Sequence, residues 1–183
     1  EQCDDGGVAP GDGCSATCTA EAPGNYVTEV EPNDLPTTAQ VLGPFNAATV
    51  VDVSGSMVIN DRDFYRFTTT APLRVTLVTY TRLGSVFSNC ISGVDADAID
   101  TKLFLYNAVP TTDLDGEVVG DEPALFQFND DADPTTDVFC SQIAGTPAAP
   151  TRVLLPAGTY YIQVKEFFGD AIGNYFLRLD FAP

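Results

Sequence analysis

The 183-residue sequence contains no histidine and no tryptophan, and Lys and Arg together number only 8. Without histidine, the chain lacks the usual general base at neutral pH, the Ser-His and Cys-His nucleophile pairs and the commonest zinc ligand. No apolar run approaches the length of a membrane span, so we expect no membrane insertion. No Asn-X-Ser/Thr sequon is present, so we expect no N-glycosylation. These absences exclude the commonest hydrolase chemistries.

The charge balance is strongly acidic. The 26 Asp and Glu residues outweigh the 8 basic ones and give a net charge of −18. Such a surface repels nucleic acid and anionic membranes, attracts cations, and destabilises the compact state by self-repulsion unless cations bind. Because 44% of the residues are hydrophobic, the chain has enough apolar surface for one ordinary domain with a small appendage.

The N-terminal unit, residues 1–22, is rich in Gly and Asp and carries three of the five cysteines, Cys3, Cys14 and Cys18. It is too poor in apolar residues to build a core, so we expect a disulfide between two of the three and an oxidising compartment. Zinc is the alternative, but no histidine is present to serve as a fourth ligand. The odd cysteine is free, bonded to another chain or bonded to a residue outside this sequence. Because the chain begins at Glu1 without Met, we interpret it as a processed piece.

The acidic segment, residues 29–34, has the sequence Glu-Val-Glu-Pro-Asn-Asp. In an extended chain the alternating Glu29, Glu31 and Asn33 point the same way, and Pro32 excludes a helix interior. Such a concentration of oxygen ligands is typical of a site for Ca²⁺, which takes about six to eight of them. A solvated acidic linker is the alternative interpretation.

Short β-branched or alternating apolar runs, separated by Pro/Gly turns, follow from about residue 48. The last run is the clearest, since Tyr175, Leu177, Leu179 and Phe181 share one face. About eight to nine strands of this kind predict an all-β fold, an antiparallel jelly-roll-like β-sandwich over residues 29–183, joined to the N-terminal unit by a linker at 23–28. Cys90 and Cys140 are the only cysteines in this domain, so we expect them to form a disulfide. The predicted strands are 49–53, 63–70, 73–80, 101–106, 124–128, 138–143, 151–155, 159–167 and 175–181.

Two resemblances to known families add to this reading. The pattern Glu-Gln-Cys-Asp-Asp-Gly … Gly-Asp-Gly-Cys-Ser-Ala-Thr-Cys in the N-terminal unit resembles a cysteine-rich repeat of secreted myxobacterial proteins, which implies a further cysteine upstream. Residues 28–182 resemble the bacterial pre-peptidase C-terminal domain, which includes collagen-binding members. The resemblance implies a β-sandwich attached to secreted hydrolases and surface proteins, without catalysis of its own. It rests on six motifs in family order, at 29–39, 55–67, 100–107, 129–131, 155–164 and 173–179.

The second resemblance also implies a calcium site at the acidic segment. An ion there would fix the direction in which the N-terminal unit leaves the sandwich. Because the Asp-x-Asp spacing is one residue shorter than in collagen-binding members, Asn60 is an alternative ligand to Asp61. The implied ligands are the side chains of Glu29, Glu31, Asn33 and Asp34, the carbonyl of Ser56, and the carboxylates of Asp61 and Asp63.

Other acidic clusters are weaker candidates for cation sites. Asp130, Asp131 and Asp133 form a candidate second metal site, and Asx turns in solvated loops explain them about as well. The same two interpretations apply to Asp95, Asp97 and Asp100. In the N-terminal unit, Asp4, Asp5 and Asp12 are also candidates.

These observations predict a secreted or cell-surface, non-catalytic, calcium-binding module for extracellular adhesion or assembly. Its expected partner is an extracellular protein, a polysaccharide or another copy of the chain. One alternative is a fibre subunit whose N-terminal arm contacts its neighbour. Another is a polymer-binding appendage of a secreted hydrolase. Paired carboxylates of a glycosidase are disfavoured, because the acids lie in loops. Threonines at 68–70, 111–112 and 135–136 are candidates for O-linked sugar. The aromatics that could face outward and dock a partner are Phe64, Phe104, Tyr106, Tyr161 and Phe176, but for each of them packing against the second sheet or a loop is the favoured interpretation.

Overall fold

A computed structural model describes residues 25–80, 99–111, 124–130, 140–144 and 152–183. Within these ranges the chain forms eleven β-strands and no helix. None of the described residues forms a helix long and apolar enough to cross a membrane. The strands are β1 (Asn25–Thr28), β2 (Gln40–Val41), β3 (Thr49–Met57), β4 (Arg62–Thr69), β5 (Leu73–Tyr80), β6 (Thr101–Tyr106), β7 (Leu125–Asn129), β8 (Gln142–Ile143), β9 (Val153–Leu155), β10 (Gly158–Glu166) and β11 (Ile172–Ala182).

The strands form two sheets. The first has the order β1-β3-β11-β5-β8, with β9 also pairing with β5, and the second has the order β2-β4-β10-β6-β7. All pairs are antiparallel except β1 with β3 and β2 with β4. The predicted all-β sandwich is confirmed. The described strands outnumber the predicted eight to nine, because β1 and β2 are too short to produce a recognisable periodicity.

The predicted linker at 23–28 is partly wrong. Residues 25–28 form β1, which pairs with Val51–Ser54 of β3. Backbone hydrogen bonds to β3 hold these four residues at the edge of the first sheet, although Pro23 and Gly24 just before them are typical of a linker. The sandwich therefore begins at least four residues earlier than the sequence indicated.

The main core lies between the sheets and follows the predicted alternation. Tyr175, Leu177, Leu179 and Phe181 of β11 are all buried, with at most 2% of any side chain exposed. The ring of Phe181 packs against Phe67 of the second sheet, with centroids 5.4 Å apart. The period-2 pattern of β11 thus correctly predicts which face is buried.

Three of the five aromatics that could have formed an exposed face are buried, in agreement with the packing interpretation. Phe64, Tyr106 and Tyr161 are buried in a second, smaller cluster. Phe104 is half-buried because it stacks on Tyr106 and on Phe128, at 6.2 and 5.7 Å between centroids. Aromatic side chains on the outer side of a sheet cover one another, so outward alternation alone does not predict exposure.

Cys140 is buried and disulfide-bonded. Its predicted partner, Cys90, lies outside the described residues, so this pairing stays a prediction. The N-terminal unit, with Cys3, Cys14 and Cys18, also lies outside them.

Two turns cross between the sheets at the same end of the sandwich. The β3–β4 turn, 58–61, and the β10–β11 turn, 167–171, lie side by side, and the amide of Asn60 donates to the carbonyl of Gly169 at 2.8 Å. Since β1 runs parallel to β3, the acidic segment that follows β1 reaches this same end. We call residues 29–34, 58–61 and 167–171 the crossover end.

Candidate metal site

Hydrogen bonds hold the acidic segment between the two sheets. The amide of Glu29 donates to the carbonyl of Ser54 on β3 at 2.9 Å, and its carboxylate accepts from the amide of Ser56, also at 2.9 Å. Further along, the carbonyl of Asn33 accepts from the amide of Phe64 on β4 at 2.9 Å. The segment therefore contacts the first sheet at one end and the second sheet at the other.

This placement brings five of the predicted ligands into two carboxylate groups that share Glu31. One group is Glu29, Glu31 and Asp63, and the other is Glu31, Asp34 and Asp61; within each, one oxygen per residue lies within 4.8 Å of the others. The spacing suits oxygen ligands around one cation per group. These residues come from the acidic segment, from the end of the β3–β4 turn (Asp61) and from β4 (Asp63), as the sequence predicted, but their role as ligands stays a prediction.

The remaining predicted ligands are Asn33, Ser56 and the alternative Asn60. Asn33 is fully buried beside the first group. Ser56 donates its amide to Glu29, while the predicted role of its carbonyl stays untested. The Asn60 side chain faces the β10–β11 turn, because a Cβ added to Gly169 of that turn would lie 2.5 Å from Asn60 Oδ1. This geometry favours Asp61 over Asn60.

Two buried oxygens in this region have no hydrogen-bond partner. Asn33 uses its backbone amide for Glu31 and its Nδ2 for Glu29, at 2.9 and 3.0 Å, but its Oδ1 is unpartnered. Asp63 accepts through Oδ2 from Tyr175 at 2.5 Å, and its Oδ1 is unpartnered. Leaving a buried acceptor unsatisfied costs about 1–3 kcal/mol, and more for a charged group. A hard cation among these residues would supply the missing partner, so the donor set fits Ca²⁺.

Two tyrosine hydroxyls connect these carboxylates beneath the surface. Tyr65 on β4 and Tyr175 on β11 approach to 2.6 Å through their hydroxyl oxygens. Tyr65 donates to Glu29 at 2.6 Å, and Tyr175 bonds to Asp63. The sequence pattern placed Tyr175 on the apolar face of the last strand and gave its hydroxyl no role. A tyrosine rather than a phenylalanine on a buried strand face is the signal that could have identified it, because a buried hydroxyl usually requires a partner.

The number of hydrogens in this hydrogen-bond chain indicates that one of its two carboxyl groups is protonated. Three hydrogen bonds run from Asp63 through Tyr175 and Tyr65 to Glu29. The two hydroxyls supply two hydrogens, because each donates once. A protonated carboxyl at either end, Asp63 or Glu29, supplies the third. If Asp63 carries it, the carboxyl donates to the Tyr175 hydroxyl and every bond has a donor. Burial favours Asp63 as the protonated end when no cation is bound, because Asp63 is fully buried and Glu29 is only partly buried.

The electrostatics agree with this hydrogen count. Burial, reinforced by the charge of Glu29, raises the pKa of Asp63 to about 9. The pKa of Asp34 is raised to about 6, first by its hydrogen bond with Asp61 and then by burial. Burial also raises the pKa of Glu31. All three shifts reflect carboxylates held together without a compensating positive charge.

The weaker cation clusters have observations both for and against them. Asp130 Oδ1 is a buried oxygen without a hydrogen-bond partner, like the two oxygens at the main site. Asp130 Oδ2 lies 3.8 Å from the ammonium of Lys102, a positive group where a cation site would place further oxygens. The carbonyl of Asp100 accepts from the amide of Phe167 at 2.8 Å. Both clusters stay predictions, because the other acids predicted with these two lie outside the described residues, as do those of the N-terminal unit: Asp131, Asp133, Asp95, Asp97, Asp4, Asp5 and Asp12.

Replacing Gly55 with alanine is expected to disturb the site through Tyr175. The added Cβ would lie 2.6 Å from the ring and 2.7 Å from the hydroxyl of Tyr175, which is fully buried. Overpacking of this kind costs about 1–3 kcal/mol of unfolding free energy, measurable by urea denaturation. As a control, Gly173→Ala adds a Cβ with nothing within 4 Å and should change stability far less. Equal effects of the two substitutions would contradict this account.

Comparison with known proteins finds similar solved structures at low sequence identity. No protein-family model matches the sequence, and no match is found among curated proteins. Two similar solved structures are bacterial. The pre-peptidase C-terminal domain of collagenase from Bacillus anthracis is 12% identical with a TM-score of 0.43, and the match covers 83% of this chain and 100% of that one. Aeromonas hydrophila PliG, a periplasmic lysozyme inhibitor of g-type lysozyme, is 14% identical with a TM-score of 0.40, with 86% and 97% covered. The first is a domain of the kind that residues 28–182 resemble.

Proposed function

We propose that this chain is a non-catalytic, calcium-binding β-sandwich module of an extracellular protein. The observation that carries the proposal is the pair of unpartnered buried oxygens, Asn33 Oδ1 and Asp63 Oδ1, beside clustered carboxylates. Carboxylate and amide oxygens are the ligands that Ca²⁺ prefers, and five of the seven predicted ligand residues lie in the two carboxylate groups. The disulfide at Cys140 supports an oxidising, extracellular location.

In this proposal the ion fastens the acidic segment to both sheets. Glu29 and Glu31 follow β1 of the first sheet, whereas Asp61 immediately precedes β4 of the second sheet and Asp63 lies within it. An ion that binds both sets joins the sheets at the crossover end. It also holds the carboxyl end of β1, an edge strand that otherwise depends on its pairing with β3.

This geometry changes the role that the sequence predicted for the ion. The ion was expected to lie where the N-terminal unit leaves the sandwich. The chain instead reaches Asn25 at the opposite end of β1 from the crossover end. Calcium would therefore act on the preceding residues indirectly, by holding β1 in register. A firmly held β1 would present those residues to an extracellular protein, a polysaccharide or another copy of the chain, which is the adhesive or assembly role that we propose.

Calcium titration by isothermal calorimetry tests the site. Extracellular calcium modules bind with dissociation constants of about 10⁻⁴–10⁻³ M, and we expect a value in this range. Glu31→Gln should weaken binding by at least about tenfold, because Glu31 belongs to both carboxylate groups.

A matched control is Asp170→Asn. It removes an exposed acid from the crossover end but outside both groups. The control should retain the affinity of the natural sequence. If Glu31→Gln binds calcium as tightly as the control does, the site is not where we propose it.

A further inference from the structure

The crossover end exposes large apolar side chains. Val58, Ile59 and Phe168 have 70%, 70% and 74% of their surface exposed, and Phe167 has 39%. These four residues, the apolar tip, belong to the two crossover turns. The turns lie side by side through the hydrogen bond between Asn60 and Gly169. Together the four form one patch of a kind that usually marks an interaction site.

The apolar tip adjoins the candidate calcium site. The amide of Val58 donates to Asp61 Oδ2 at 3.0 Å. Asp61 belongs to the carboxylate group formed with Glu31 and Asp34, which we call the outer carboxylate group. In that group Glu31 and Asp34 are exposed, so an ion held there is accessible from outside. The tip also has a cationic neighbour, since the ammonium of Lys102 lies 3.8 Å from the centre of the Phe167 ring.

We infer that the crossover end is a calcium-dependent docking surface for phospholipid membranes, an inference that rests on the proposed calcium site. Ile59 and Phe168 would enter the boundary between headgroups and acyl chains, about 5–10 Å deep. The ion in the outer carboxylate group would accept lipid phosphate oxygens as its remaining ligands. This is peripheral docking, which requires no spanning segment.

Shape favours a lipid surface over a second copy of the chain. The net charge of −18 opposes the approach of another copy and of an anionic membrane alike. A calcium ion at the tip offsets this repulsion for phosphate and carboxylate oxygens alike, so charge does not separate the two partners. The apolar side chains protrude from turns, a shape that penetrates a fluid layer without requiring a complementary cavity.

Co-sedimentation with vesicles of phosphatidylcholine and phosphatidylglycerol tests the inference, in millimolar calcium and in excess chelator. We expect binding in calcium only. The double variant Ile59→Ser, Phe168→Ser should reduce the bound fraction by at least about tenfold while retaining calcium affinity in calorimetry. The matched control, Val41→Ser with Leu154→Ser, removes side chains that are 54% and 53% exposed outside the crossover end. It should bind vesicles normally.

Each other outcome overturns the inference. If the protein binds calcium but does not sediment with vesicles, the docking surface is wrong and the calcium site stands. Vesicle binding that persists in chelator excludes the bridging ion. If calorimetry detects no calcium binding, the proposed function itself fails. A calcium-dependent dimer in analytical ultracentrifugation that the Ile59→Ser, Phe168→Ser variant abolishes would assign the tip to contact between copies instead.

Discussion

Without calcium, the protein is expected to lose stability as the pH rises from about 4 to about 9. Burial raises the pKa of Asp63 from 3.8 to about 9, and the pKa values of Asp34 and Glu31 are also raised. A group whose pKa is raised in the folded state contributes its full stabilisation when the pH is below its pKa in the unfolded chain. That stabilisation is lost as the pH rises towards the pKa of the group in the folded protein, because the group releases its proton at a lower pH in the unfolded chain. Asp63 alone corresponds to about 1.4 kcal/mol per pH unit, or about 4 kcal/mol between pH 5 and pH 8.

Calcium should reverse much of this loss, because a bound cation favours the ionised carboxylates. Binding then displaces a proton from Asp63, so calcium affinity should rise with pH by up to about tenfold per unit below pH 9. Urea denaturation in chelator and in calcium, at pH 5 and pH 8, measures both effects. Calorimetry in buffers of different ionisation enthalpy counts the released protons. Unfolding free energies in chelator that are equal at the two pH values would refute the assignment of Asp63.

The sequence predicted the parts of this structure that depend on local pattern. Alternation in β11 gives its buried face, and the runs at 73–80 and 101–106 coincide with β5 and β6. The acidic segment and the Asp-x-Asp of β4 could be connected only through the resemblance, because no local pattern brings Glu29 near Asp63. The parallel pairing of β1 with β3 achieves that contact in space.

Other features depend on tertiary contacts that no local pattern encodes. Tyr106 and Tyr161 are paired across β6 and β10 and are buried together in the smaller cluster, so their outward position in the alternation did not make them exposed. The hydroxyl pair of Tyr65 and Tyr175 forms between residues of different sheets, 110 positions apart. The apolar tip was missed for a similar reason, because Ile59 and Phe168 come together only when both crossover turns form.

Asp63→Asn is expected to stabilise the calcium-free protein and to abolish its response to calcium. Asparagine is a neutral substitute for protonated aspartate. Its amide can donate to Tyr175 and so supply the third hydrogen of the hydrogen-bond chain that ends at Glu29. At pH 5 the folded protein already carries a neutral Asp63, so the variant should differ little. At pH 8 it should be more stable by up to about 4 kcal/mol, because it escapes the cost of keeping a proton on a buried carboxyl. Calcium affinity should fall at least about tenfold with the loss of a carboxylate ligand.

Asp52→Asn is the informative control, because Asp52 is also buried but has a complete set of partners. Its carboxylate accepts two hydrogen bonds from Arg178, at 2.7 and 2.9 Å, and one from Tyr80 at 3.0 Å. Removing one partner of a buried ion pair costs about 3–5 kcal/mol, so this variant should lose stability and keep its calcium affinity. At pH 8, urea denaturation should therefore show that Asp63→Asn is more stable and Asp52→Asn less stable than the natural sequence. Calorimetry should show weaker calcium binding for Asp63→Asn and unchanged binding for Asp52→Asn. If both substitutions destabilise the protein and neither changes calcium binding, Asp63 is an ordinary structural carboxylate and the proposed site is wrong.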